Sequence, residues 1–177
     1  FVEILSSVLQ EGLPVNGDFY FKKSAGIVAA NVANNSLTIS GNILTEIADN
    51  EICIEGGSFN DGIYFVDQKS FDGINTLLIL KTETSVILYD LPDVEGNPPG
   101  TIKYTKKATV DAVSASLNQI VISDLDASTL VEGEIVEIKN STDGTNDFRF
   151  KVLSVNVNGS DIEITVGQFE QLIQDDL

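Results

Sequence analysis

The apolar residues of this chain recur at every second position, in short runs cut by Gly, Asn and Asp, and that period admits strands far more readily than helices. Ile135-Val136-Glu137-Ile138, Phe148-Arg149-Phe150-Lys151-Val152 and Ile162-Glu163-Ile164-Thr165-Val166 each place one face in a core. Leu37-Thr38-Ile39-Ser40, Ile52-Cys53-Ile54-Glu55, Ile63-Tyr64-Phe65-Val66 and Ile120-Val121-Ile122-Ser123 are further β-rich runs. Thr76–Lys81 and Ser85–Tyr89 are nearly continuous in apolar residues, the pattern of strands covered on both faces. Turn signals separate these runs, among them Asn60-Asp61-Gly62, Asp72-Gly73, Asp143-Gly144 and Asn158-Gly159, which suit the positive φ of tight hairpins. The expectation is an all-β fold. Helical spacing is confined to the ends, at residues 2–10 and at Phe169, Leu172 and Ile173, which are spaced i, i+3, i+4.

The two halves repeat one another. Leu37–Ser40 matches Ile120–Ser123 at an offset of 83, Ile52 and Ile54 match Val136 and Ile138 at 84, and Tyr64 and Val66 match Phe150 and Val152 at 86. Asn60-Asp61 matches Asn146-Asp147, and Gly73 matches Gly159. The drift of three residues fits loop insertions. Residues 90–100 hold all but one of the prolines, and Pro98-Pro99 removes two backbone donors, so no central strand is expected there. The organisation expected is two tandem small β-sandwich or barrel modules with short terminal arms: an arm over 1–26, module 1 over 27–90, a Pro/Gly linker over 91–104, module 2 over 105–168 and a second arm over 169–177.

Composition narrows the chemistry. The chain has no His, which removes imidazole bases, Ser-His-Asp triads and His-ligated metals, and its single Cys makes no intrachain disulfide. Cys53 reads as a buried, inert strand thiol. Against 27 Asp+Glu stand 10 Lys+Arg, and the net charge of −17 argues against a duplex-DNA partner. No run approaches the ~20 apolar residues of a membrane helix, and the opening segment carries Glu3 without the positive start of a signal peptide. No phosphate-binding loop is present, and no residue set points to catalysis or to a cofactor.

Gly56-Gly57-Ser58-Phe59-Asn60-Asp61-Gly62-Ile63-Tyr64-Phe65-Val66 is the most specific string. With Leu37–Gly41 upstream and the Gly73 turn and Thr76–Ile79 downstream, it resembles a β-module that recurs in structural proteins of tailed bacteriophages. The resemblance covers residues 36–81; in the second half Ser141–Phe148 is a longer loop without Gly after Asn146-Asp147. It implies a non-enzymatic virion component (tail, connector, fibre or capsid decoration) that self-assembles or docks on other virion proteins.

Candidate contact residues on this reading are Phe1, Val2, Ile4 and Leu5 in the first arm, Pro98 and Pro99 in the linker, Lys103, Lys106 and Lys107 in the one basic cluster, and Phe169, Leu172 and Ile173 at the end. The lysines read as guards of an exposed edge strand. Asp124, Asp126, Asp143 and Asp147 are oxygen ligands at close spacing for Ca²⁺, although neither segment has the regular ligand run of an EF-type loop and ordinary Asx turns explain both. The alternative function is a carbohydrate or host-surface adhesin presenting Phe59, Tyr64, Phe71 or Tyr104, with Tyr64 expected inside by its strand parity.

Overall fold

A computed structural model describes residues 17–56, 60–82, 87, 100–139 and 149–168. They form an all-β structure: β1 (Asp18–Asn31), β2 (Ser36–Ser40), β3 (Glu51–Glu55), β4 (Gly62–Phe71), β5 (Asn75–Leu80), β6 (Thr101–Thr109), β7 (Ala112–Ser114), β8 (Gln119–Ile122), β9 (Ile135–Lys139), β10 (Arg149–Asn158) and β11 (Asp161–Gln168), with a 3₁₀ turn at Leu125–Thr129. Pairing runs β2-β5-β4-β3-β6-β1 and returns from β1 to β2, which closes six strands into a barrel. From β1 the ladder continues through β9, β10, β11, β8 and β7. The chain divides into two compact units, a central one over Lys22–Lys106 and a terminal one built from the chain up to Phe21 and from Lys107 onward.

The central unit owes its closure to alternation. Ile52 faces Tyr64 on one side and Tyr104 on the other, and Ile54 faces Ile102. Leu37 faces Leu78, and Val66 faces Leu80. All of these are buried. Each such side chain contributes roughly 1.5–3 kcal/mol on leaving water. A turn after β2 seals this core with Ile43 and Ile47, both buried. It is pinned by Thr76, whose hydroxyl donates to the Gly41 carbonyl at 2.7 Å and accepts from the Ile43 N–H at 3.0 Å. Ile87, the one described residue of 85–89, is buried outside any strand.

The terminal unit uses the same devices. Phe19 of β1 faces Ile138, Phe150 faces Val136, Val152 faces Val166, and Ile162 and Ile164 face Ile122 and Ile120. The Val110 N–H donates to the Gly17 carbonyl at 3.0 Å, tying the residue after β6 to the residue before β1. Within each unit the order of pairing is the same: β2-β5-β4-β3 in one, β8-β11-β10-β9 in the other. Both long hairpins carry a bulge at the matching place, between Val66 and Gln68 and between Val152 and Ser154.

Four expectations change. β6 lies between β3 and β1, so the lysine-rich segment is no edge strand; Ile102 and Tyr104 point into the core, and Lys103 takes an outward position. The strand starts at Thr101, inside the stretch expected to be linker, and β1 starts at Asp18, inside the expected arm. β5 is covered on one face only: Leu78 and Leu80 are buried, while Leu77 between them is 37% exposed. Cys53 is half-buried, because its neighbours Ile52 and Ile54 take the inward positions of β3.

Candidate functional site

The described part of the Gly56–Val66 string is organised around Tyr64. Its ring is buried on β4, and its hydroxyl donates to the Asn60 carbonyl at 2.8 Å. Asn60 is fully buried, and Asp61 accepts the Gly56 N–H at 3.3 Å. Burial pushes the Tyr64 phenol above its usual range, and the Asp61 carboxylate adds to the shift. Gly62 has φ of 156°, and a Cβ there would meet the Tyr64 ring at 3.6 Å. Asn60 is thus tied to the core through the Tyr64 phenol and Asp61 to Gly56, while residues 57–59, Phe59 among them, lie outside the described residues.

Two of the three lysines of β6 are held in ion pairs with different partners. Lys103 Nζ lies 2.8 Å from Glu55 Oε2, and Lys107 Nζ lies 3.3 Å from Asp18 Oδ1. Lys106 is half-buried. Tyr104 is fully buried, and its hydroxyl donates to Glu46 Oε2 at 2.5 Å, an oxygen that also receives Lys23 Nζ at 3.0 Å. Lys69 Nζ donates to the Ile47 carbonyl at 3.1 Å from the other side of the same turn. This charged cluster fastens the sealing turn of the central unit, an energetic role that alternation on β6 does not announce.

Asp124 precedes the 3₁₀ turn and Asp126 lies within its first turn. Asp124 is its N-cap, and its Oδ1 accepts the Asp126 N–H at 3.0 Å, the Asx turn expected of such a sequence. Asp111 accepts from the Ser123 hydroxyl at 2.7 Å beside a shallow, open depression lined also by Ala108, Thr109 and Leu125. Among the described residues no three Cys, Asp or Glu side chains converge as a metal site. Asp143 and Asp147 lie outside the described residues, as do Phe1, Val2, Ile4, Leu5, Pro98, Pro99, Phe169, Leu172 and Ile173. Of the aromatic adhesin candidates, Tyr64 and Tyr104 are buried and Phe71 is half-buried.

The outward positions of the two β hairpins form the chemically distinct surfaces. On β3 and β4 the outward pairs are Cys53 opposite Ile63 and Glu51 opposite Phe65. Ile63 is 61% exposed and Phe65 38%. On β9 and β10 the outward pairs are Glu137 opposite Arg149 and Ile135 opposite Lys151. Glu137 Oε1 lies 3.3 Å from Arg149 Nε, and Oε2 lies 3.0 Å from Lys139 Nζ. Partial burial works to raise the Glu137 pKa, but the hydrogen bonds and charges of Lys139 and Arg149 outweigh it and hold the carboxyl below the usual range. Lys139 also stands 5.3 Å from the centre of the Tyr20 ring. Parity with Tyr64 and Phe150 marks Ile63, Phe65, Arg149 and Lys151 as outward, a signal that becomes a surface only once register is known.

No family model, no curated protein and no solved structure matches this chain.

Proposed function

We propose that the chain is a non-enzymatic structural component of a bacteriophage virion, a tail, connector, fibre or capsid-decoration protein that works by self-assembly or by docking on other virion proteins. The observation that carries this reading is the Gly56–Val66 string with its flanking strands, whose likeness to the phage structural module is accompanied by a physical rationale: the turn is locked by the Tyr64–Asn60 hydrogen bond. The finer architecture belongs to the same proposal. The two units are a duplicated β-module, supported by the common pairing order and by the matching bulges at Val66/Gln68 and Val152/Ser154. A duplicated rigid module offers two geometrically similar platforms for contacts, which suits a building block better than a reaction centre.

The test is mass in solution by light scattering across ionic strength. A charge of −17 per copy opposes association at low salt, and screening to about 8 Å at 0.15 M relieves the long-range part. Mass that rises in discrete steps with ionic strength supports a building block. A single monomeric mass at all salt and protein concentrations, with no binding to purified virion proteins, overturns the reading.

A further inference from the structure

We propose that the outward face of β3 and β4 in one copy docks on the outward face of β9 and β10 in the next, giving a repeating contact between two different surfaces. The inference rests on the assembly reading above and names the surfaces that would carry it. The two faces occupy the same position in the two units: Cys53–Ile63 corresponds to Glu137–Arg149, and Glu51–Phe65 corresponds to Ile135–Lys151. The inward residues between them keep their character, with Ile52 and Tyr64 matched by Val136 and Phe150, all buried. The outward residues have changed together and in opposite senses. One face carries Glu51 and Glu55 around exposed Ile63 and Phe65; Glu55 is already paired with Lys103 of the adjoining β6, so Glu51 is the acid that the contact would use. The other carries Lys139, Arg149 and Lys151 around a single acid, Glu137.

Three of the chain's ten basic residues thus stand on one two-stranded face of a protein whose net charge is −17. A basic face in so acidic a chain fits an acidic, partly apolar partner, and a second copy supplies one on a sheet of the same pairing pattern. Contact-distance charge pairs survive at 0.15 M salt while the repulsion between whole copies is screened. Because the two surfaces differ, a bound pair still presents one unused face of each kind. Association then continues until a ring closes or a filament grows, the outcome of any heterologous contact. A two-stranded contact is small, so it is weak in a pair and gains strength through repetition.

The experiment is sedimentation velocity at 0.15 M salt on the full chain and on Lys151→Glu, Glu51→Lys and Phe65→Ala variants, with thermal melts to show that each folds. Lys151 and Phe65 are exposed, so native melting is expected. Each variant alone should associate at least tenfold more weakly than the parent, and an equimolar mixture of Lys151→Glu with Glu51→Lys should recover association, since it restores opposite charges across the contact. Variants that associate as the parent does overturn this contact while leaving self-assembly in place. A parent that stays monomeric overturns this contact, and it overturns the reading beneath it as well if the same chain binds no purified virion protein.

Discussion

Asn35 and Asn118 stand 83 residues apart and hold the same left-handed backbone, with φ of 48° and 49°. Each donates its N–H to the carbonyl three residues back, Val32 and Ala115, at 3.2 Å. Each carbonyl accepts from the far strand of its own unit, Leu80 N–H at 2.9 Å and Val166 N–H at 2.8 Å. Two residues that share a conformation, a turn and a cross-strand hydrogen bond are the sharpest structural support for the proposed duplication. Asn35 adds a role of its own: its side chain donates to the Leu80 carbonyl at 3.1 Å and accepts the Ile87 N–H at 2.8 Å. Asn35→Ala combines left-handed strain with loss of buried hydrogen bonds and should cost about 3 kcal/mol, whereas Asn35→Gly restores the backbone freedom and should cost about 2 kcal/mol. Chemical denaturation with an unchanged slope distinguishes the two values.

Tyr64→Phe keeps the ring in the core and removes only the hydroxyl that donates to Asn60. The expected loss is about 1–2 kcal/mol, read as a lower denaturation midpoint. The parent should also show a phenol that ionises above the usual tyrosine range, by ultraviolet titration. A phenol raised in the folded state contributes stability that is complete below the unfolded value and is lost as pH climbs through the folded one, so the penalty of Tyr64→Phe should shrink in strong alkali.

Glu163 gathers three amides: Asn158 Nδ2 at 2.9 Å, Asn156 Nδ2 at 2.9 Å and Gln119 Nε2 at 3.4 Å. The hydrogen bonds from Asn158 and Asn156 hold its carboxyl below the usual glutamate range. A depressed carboxyl stabilises the fold above its unfolded pKa, and that contribution fades as pH falls through the folded value. Glu163→Gln should therefore melt a few degrees lower at neutral pH, with the gap to the parent closing in acid below the usual glutamate range. A gap that stays constant across that window in scanning calorimetry contradicts the assignment.

Gly167 sits beneath Leu153, and a Cβ added there would meet both Leu153 methyls at 3.3 Å. Leu153 is the bulged residue of β10 and is 45% exposed, so it can turn aside. Gly167→Ala should change stability by less than about 1 kcal/mol, since the small displacement is offset by the reduced freedom of the unfolded chain. A loss above about 2 kcal/mol would show that Leu153 is held rigidly.

Alternation made β2 to β5 and β8 to β11 legible, because one-sided burial writes period two directly into the residues. β1 was not legible. Lys22-Lys23 interrupts its apolar series, Ala25, Gly26 and Ala30 are too small to mark an inward face, and its partners on β9 are more than a hundred residues away. β6 misled for a related reason: lysines guard edges in open sheets, but a strand paired on both sides also presents outward positions to water, so Lys103 carries no edge information. The outward residues Ile63, Phe65, Arg149 and Lys151 were readable one at a time, but the opposition of Glu137 to Arg149 needed register.

The placement of β6 sets a timetable for biogenesis. The central barrel closes only when β6 brings Ile102 and Tyr104 against β3, so a chain leaving the ribosome lacks its sixth strand until residue 106 is free. The terminal unit keeps Phe19 waiting still longer, until Ile138 emerges. Such distant pairings make for slow folding, on the order of milliseconds to seconds, with unpaired backbone on display meanwhile. A synthesis pause before β6 would lengthen the interval in which the barrel lacks its closing strand.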